Sequence, residues 1–248
     1  MKLKPHQDAI GQAMYDHWEH GNSYELVELV ERDDGFISHG AGPGKYFAPY
    51  RDWAACEKRV IRHAQGRVID IGCGAGRHAV YLQERGHDVL GIDVSPLALK
   101  VARLRGLRKT RVLPITKVDH RLGIFDSILM LGNNFGLVGN RTRARWLLRR
   151  FKSITPPEGR IIVSTTDVYQ TDAKEHLTYQ RNNRRHGRMS GELRIRIRHR
   201  QYATPYFDYL MVSLKEMQGL VEGTGWAITR HYEGPGPLYA VVLEKSTS

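Results

Sequence analysis

Residues Val68-Ile69-Asp70-Ile71-Gly72-Cys73-Gly74-Ala75-Gly76, followed after one helix length by Val89-Leu90-Gly91-Ile92-Asp93, decide the fold of this 248-residue chain. Val68, Ile69 and Ile71 are β-branched and make a strand apolar on both faces, as the buried centre of a parallel sheet requires. Glycines at 72, 74 and 76 allow a sharp turn that brings backbone against a ligand with no Cβ in the way. Arg77 to Arg85 reads as the next helix, packed through Ala79, Val80 and Leu82 and stopped at Gly86. Asp93 ends the second strand, where an acid can accept hydrogen bonds from ribose hydroxyls. The stretch is a βαβ unit whose first turn binds a ligand.

The glycine spacing separates two readings of that turn. A dinucleotide fingerprint, GxGxxG, would place its last glycine where this chain has Arg77, and the run here is GxGxG instead. Strand, GxGxG, helix, strand and terminal Asp93 together resemble the first motif of the class I S-adenosylmethionine (SAM)-dependent methyltransferases. The resemblance covers residues 65 to 165 in detail and 213 to 245 by pattern. It implies an α/β, Rossmann-like, doubly wound and mostly parallel seven-stranded sheet with an antiparallel last strand, and SAM as cofactor. It assigns Asp70, Gly72, Cys73 and Gly74 to the methionine half of SAM, and Asp93, with Val94 beside it, to the ribose.

Working back toward the N-terminus, His6 to His20 and Tyr24 to Asp33 have helix-like apolar spacing through Ile10, Met14, Trp18, Leu26, Leu29 and Val30. Gly35 to Gly44 reads as a glycine-rich loop. Tyr46 to Trp53 is aromatic, and a helix follows to about His63. In the methyltransferase reading, residues 1–64 form a helical cap and 65–248 the SAM-binding domain. Tyr46 or Tyr50 would set a ring face near the sulfonium, a cation–π arrangement. Phe47 and Trp53 read as packing residues.

Working forward, Ser95 and Pro96 open a helix to about Arg105, as N-cap and first helical residue. Arg111 to Ile115 is a short third strand, and Asp119 stands too far beyond it to mark an adenine contact. Phe125 to Leu131 is the fourth strand and leads into Gly132-Asn133-Asn134-Phe135-Gly136. Ligands of doubly wound sheets lie beyond the carboxyl ends of the strands at the switch point. Leu131 and Asn133 are therefore expected at the cofactor and Asn134 at the methyl acceptor. Asn140 caps a helix with an arginine-rich polar side, and Gly159 to Thr165 is the fifth strand. Residues 168–210 read as a small antiparallel insertion, because Leu193 to Arg200 alternates apolar with basic. Tyr202, Tyr206, Phe207 and Tyr209 supply it with an aromatic wall. Ser213 and Glu216 form a capping box, and Trp226 to His231 with Leu238 to Glu244 close the sheet.

Methyl transfer from SAM is an in-line displacement, in which the protein supplies alignment and a water-poor site. A base is needed only if the nucleophile arrives protonated; His120, Asp167, Tyr169 and Tyr206 are candidates that spacing does not separate. Asn134, Tyr169 and Tyr206 form the candidate catalytic set. Two cysteines, Cys56 and Cys73, make neither a disulfide framework nor a metal cluster, and there is no HExxH motif. The family's amino-directed nucleic-acid enzymes carry Asn/Asp-Pro-Pro-Tyr/Phe after strand four, and its cytosine C5 enzymes need a cysteine there; this chain has neither. That favours a small-molecule acceptor with an N or O nucleophile. The net charge of +12, concentrated at Arg141–Lys152 and Arg181–Arg200, suits an anionic acceptor. It also leaves open an RNA methyltransferase using the arginine surfaces, while fold alone leaves open a non-enzymatic SAM-binding protein. With 41% hydrophobic and 26% charged residues, the composition is that of a globular protein. The N-terminus lacks an apolar signal region and no run reaches membrane-spanning length, so a cytoplasmic location is expected.

Overall fold

The structure, a computed structural model, describes residues 3–21, 28–40 and 42–246. In chain order its helices and strands are α1 Ala9–His20, β1 Leu29–Arg32, β2 Ile37–His39, α2 Ala55–Val60, β3 Arg67–Ile71, α3 Arg77–Glu84, β4 Asp88–Asp93, α4 Pro96–Leu104 and β5 Lys109–Val112. They continue with β6 Ser127–Met130, α5 Arg141–Lys152, β7 Arg160–Thr166, α6 Lys174–Arg185, β8 Glu192–His199, β9 Tyr202–Ala203, β10 Phe207–Leu210, α7 Leu214–Val221, β11 Trp226–Glu233 and β12 Leu238–Lys245.

Seven strands form one sheet in the order β11-β12-β7-β6-β3-β4-β5. β4 runs parallel to β5 and β6 to β7, whereas β12 is antiparallel to both β7 and β11. This is the doubly wound, Rossmann-like sheet with an antiparallel close that the family resemblance implies. Every residue of β6 is buried, as a strand covered on both faces must be. A second sheet has the order β10-β8-β1-β2, with β9 on β8. No helix among the described residues is long and apolar enough to cross a membrane.

The chain divides into two compact units, one comprising Met1–Trp53, Ile69–Lys117 and Arg194–Phe207, the other Ala54–Val68, Val118–Leu193 and Asp208–Ser248. In the first, Asp8 joins two helix starts: Oδ1 caps α1 at Gly11 N (3.1 Å) and Oδ2 accepts from Leu97 N in α4 (3.2 Å). Ser95 Oγ caps α4 at Ala98 N, 2.9 Å away. A Cβ at Gly11 would run into Ser95 Oγ, so glycine there lets α1 lie close on α4.

The same unit corrects two expectations. The helix expected over Tyr24–Asp33 is a strand where it is described, β1, with Val30 opposite both Ser38 and Ile197; Tyr24 and Leu26 lie outside the described residues. The glycine-rich loop of Gly35–Gly44 contains β2 and then a 3-10 turn, Pro43–Phe47. In both cases the deciding partner is distant in sequence, since β8 supplies the ladder on which β1 and then β2 build. The described part of the N-terminal segment is thus helix plus hairpin. The third strand also begins two residues before its expected start, at Lys109, pairing Arg111 with Ile92.

In the second unit, α5 buries Ala144, Leu147, Leu148 and Phe151 and leaves its arginine side outward, with Asn140 as N-cap to Arg143 N at 2.9 Å. Ser213 and Glu216 make the expected capping box. The insertion holds a helix, α6, that the alternating pattern beside it did not announce. It is fastened by polar side chains: Asn183 Nδ2 donates to Ser190 O (3.1 Å) and Glu192 O (2.7 Å), and Gln180 Nε2 to Val168 O (2.7 Å).

Candidate cofactor and acceptor site

The glycine loop is built on the end of β3. Gly72 N and Cys73 N both donate to Ile92 O of β4, at 2.9 and 3.0 Å, which folds the turn back over the neighbouring strand. Gly72, Gly74 and Gly76 have φ of +73°, +53° and +81°, a region that costs other L-residues about 1–2 kcal/mol. A Cβ on Gly74 would also meet Met14 Cε at 2.9 Å. Cys73 turns under the loop against Gly91, where a Cβ would stand 2.8 Å from Sγ. Burial pushes its thiol well up from the ordinary range, so Cys73 serves as a small packing group and not as a nucleophile.

Two carboxylates sit at the strand ends. Asp93 Oδ2 accepts from Gly74 N (3.0 Å) and Oδ1 from Ser95 N (2.9 Å), joining the glycine loop to the start of α4. Burial raises its carboxyl above the usual value. Asp70 is 1% exposed, and its buried Oδ2 has no hydrogen-bond partner among the described residues. Burial first, then the charge of Asp93, pushes Asp70 up to about 7. An orphaned carboxylate oxygen beside a backbone turn of three left-handed glycines is what a ligand with N–H donors would complete. Val94, between Asp93 and the cap residue Ser95, is partly exposed.

The cap covers this loop within the same unit. Met14 of α1 packs with Ala75, Ala98 and Val101, and Tyr46 and Phe47 lie against that cluster. Arg105 Nη1 ties the two segments, donating to Ala75 O at 2.7 Å and Tyr46 O at 3.1 Å, with its guanidinium 4.9 Å from the Phe47 ring centre. Tyr46 directs its hydroxyl to Glu28 Oε1 at 3.1 Å. Tyr50, the alternative ring, is stacked on Tyr81 at 4.6 Å, and Trp53 is 4% exposed with Nε1 on Ala48 O. Arg105 and Glu28 were not read from the sequence. A basic residue at a helix end and an acid before a strand carry no local signal of such roles.

In the second unit the loop after β6 is held by its neighbours. Glu57 Oε1 accepts from Gly132 N (2.8 Å) and Ser164 Oγ (3.3 Å), and Ser164 Oγ accepts from Asn133 N (3.1 Å). Asn133 is left-handed, φ +69°; its Oδ1 accepts from Thr166 Oγ1 at 3.3 Å, and its backbone carbonyl accepts the Tyr209 hydroxyl. Tyr209 lies on Gly136, where any Cβ would strike the ring. Leu131 is buried, and Asn133 and Asn134 are partly exposed. Glu57 was missed because an acid on a short helix reads as surface; it is 3% exposed.

The remaining candidates are placed as follows. Tyr169 is 48% exposed, and its hydroxyl donates to Glu216 Oε1 (2.8 Å) and meets Ser190 Oγ (3.0 Å). Tyr206, in the first unit, donates to Glu31 Oε1 at 2.7 Å. Asp167 Oδ1 accepts from Tyr169 N at 2.9 Å, and His120 is exposed.

Residues 68–159 match a family described as a methyltransferase domain. Among curated proteins, the glycine/sarcosine N-methyltransferase of Halorhodospira halochloris is 35% identical over 103 residues, covering 39% of this chain and 38% of that one. The protein of the same name from Aphanothece halophytica is 28% identical over 157 residues, 60% of this chain and 55% of that one. The chain thus spans between two fifths and a little over half the length of these relatives. Among solved structures, a SAM-dependent methyltransferase from Bacteroides fragilis in complex with S-adenosyl-L-homocysteine shares the fold. It has a TM-score of 0.83 at 24% identity, over 99% of this chain and 98% of that one. Residues 68–159 thus carry the similarity to a methyltransferase domain, and the chain shares the fold of a class I SAM-dependent methyltransferase.

Proposed function

We propose that the chain moves a methyl group from SAM to a nitrogen or oxygen nucleophile of a small molecule, with an amine nitrogen favoured. The observation that carries the cofactor half is Asp70 Oδ2, a buried acceptor beneath a glycine turn with no partner among the described residues. Asp70 and the backbone of Gly72, Cys73 and Gly74 would hold the methionine part, and Asp93 with Val94 the ribose. SAM bound there supplies an electrophilic methyl group on a positively charged sulfur. The chain's own work is to align and dehydrate: Met14 and Tyr46 close on the loop, and Arg105 holds Tyr46 to it. In this reading residues 1–64 act as the cap of a SAM-binding domain over 65–248. Leu131 and Asn133 are assigned to the cofactor and Asn134 to the acceptor by the position of their loop after β6. Tyr169 and Tyr206 would each have to exchange a present hydrogen bond for one to the acceptor. The preference for an amine rests on the names of the curated relatives, both N-methyltransferases.

Calorimetry with SAM and S-adenosylhomocysteine tests the cofactor; binding of neither would sink the reading. Mass detection of the gain of one methylene unit in an amine and alcohol panel then separates an enzyme from a binding protein. The exposed arginines 181, 184, 185 and 188 support a second reading, an RNA acceptor. It requires RNA binding that weakens steeply with salt.

A further inference from the structure

A buried acid in the N-terminal segment has no charge partner among the described residues. Glu28 is 5% exposed. Its Oε1 accepts from Tyr46 at 3.1 Å, while Oε2 is buried and has no hydrogen-bond partner among the described residues. Gly40 closes over it: Gly40 N donates to Glu28 O at 2.6 Å, and a Cβ on Gly40 would come within 2.8 Å of Oε1. His199 is the basic neighbour whose electrostatic influence reaches Glu28. Its Nε2, however, is engaged with Asp16 Oδ2 at 2.9 Å, and Asp16 also takes Arg200 at 3.2 Å. Among the described residues Glu28 makes no ion pair. Burial raises its carboxyl above the usual value. A carboxylate is costly to bury with neither a counter-ion nor a full set of donors, and is kept where something supplies them.

The place of Glu28 says what that something is. Tyr46, which steadies Oε1, is the same side chain that packs on Met14 and Ala75 and whose carbonyl shares Arg105 with Ala75. Glu28 is therefore one tyrosine side chain from the glycine loop. An ammonium carries both things the site lacks, a positive charge and N–H donors. We propose that Glu28 is the specificity residue for the methyl acceptor: its carboxylate receives the acceptor's protonated amine and takes one proton from it, which frees the nitrogen lone pair for SAM's methyl group, while Tyr46 holds the carboxylate in place. The assignment rests on the methyltransferase reading and narrows its acceptor to cationic amines.

Glu28→Gln keeps the shape and removes the charge. With S-adenosylhomocysteine saturating, melting is followed against methylammonium, glycine and sarcosine, with acetamide as neutral control. At least one amine raises the melting temperature of the wild type and acetamide does not. In Glu28→Gln the amine midpoint shifts upward about tenfold or more, while S-adenosylhomocysteine binds as in the wild type. Tyr46→Phe, which keeps the charge, shows a smaller shift of the same sign and serves if Glu28→Gln does not fold. A wild type that binds no S-adenosylhomocysteine removes the methyltransferase reading and this inference with it. A wild type that binds it but responds to no amine, or a Glu28→Gln that responds as well as the wild type, overturns the role of Glu28 alone. So does a Glu28→Gln that loses affinity for SAM and not for S-adenosylhomocysteine, since the carboxylate would then be reading the sulfonium.

Discussion

The loop after β3 and the loop after β6 both leave a central strand through glycine, yet their polar groups are treated in opposite ways. After β6, Gly132 N and Asn133 N find Glu57 and Ser164, and the Asn133 carbonyl finds Tyr209. After β3, the loop is tied to Ile92 and Asp93, but Asp70 keeps one buried oxygen with no partner among the described residues. A polar group matched inside the protein adds to stability; one left unmatched lowers stability and is retained where a ligand completes it. Charge removal should therefore raise stability at the first loop, and loss of a partner should lower it at the second.

The largest effect is expected at Asp70. Burial and the charge of Asp93 push its carboxyl from the ordinary 3.8 up to about 7 in the folded chain. The folded state thus holds the proton more tightly, and stability falls as pH rises through that window. The full difference is on the order of 4 kcal/mol above it. Asp70→Asn removes the slope, so denaturant unfolding at about pH 8 should show a variant more stable than the wild type, by up to that amount, while SAM binding weakens. Parallel pH profiles for the two proteins would break the comparison at its main point.

Asp93→Ala leaves Gly74 N and Ser95 N without acceptors and removes the proposed ribose contact. It should lower SAM affinity roughly 10- to 100-fold, a loss of about 1.4–3 kcal/mol, in a protein whose circular dichroism is unchanged. Unaltered affinity in calorimetry would refute the role. Glu57→Ala strands Gly132 N and Ser164 Oγ and should cost about 2 kcal/mol of unfolding free energy. The smallest effect is Tyr209→Phe. It deletes one hydrogen bond to Asn133 O and keeps the ring on Gly136, so chemical denaturation should register about 1 kcal/mol. If either second-unit variant proved more stable than the wild type, the contrast between the loops would fail.

Local chemistry carried much of this molecule. The β-branched run at Val68–Ile71, the glycine turn, the caps at Ser95, Asn140 and Ser213 and the alternation of Leu193–Arg200 each express a short-range rule, and each stands where the sequence places it. The hairpin of β1 and β2 was not legible, because its strand character comes from β8, more than half the chain away. Neither was α6, whose buried face is Tyr179, Gln180 and Asn183 and so shows almost no apolar period.

The sequence by itself determined the central βαβ unit and the glycine turn with acids at two strand ends, since these follow from side-chain branching, backbone freedom and periodicity; the order of the sheet came from the family resemblance those residues carry. Only the tertiary structure decided which polar groups are matched and which are left over. Hydrogen-bond satisfaction depends on residues brought together from distant positions, such as Glu57 with Gly132, Arg105 with Tyr46 and Glu28 with Tyr46. The glycine turn marked where a cofactor is expected; the oxygens of Asp70 and Glu28 that have no partner among the described residues say what a ligand there would bring.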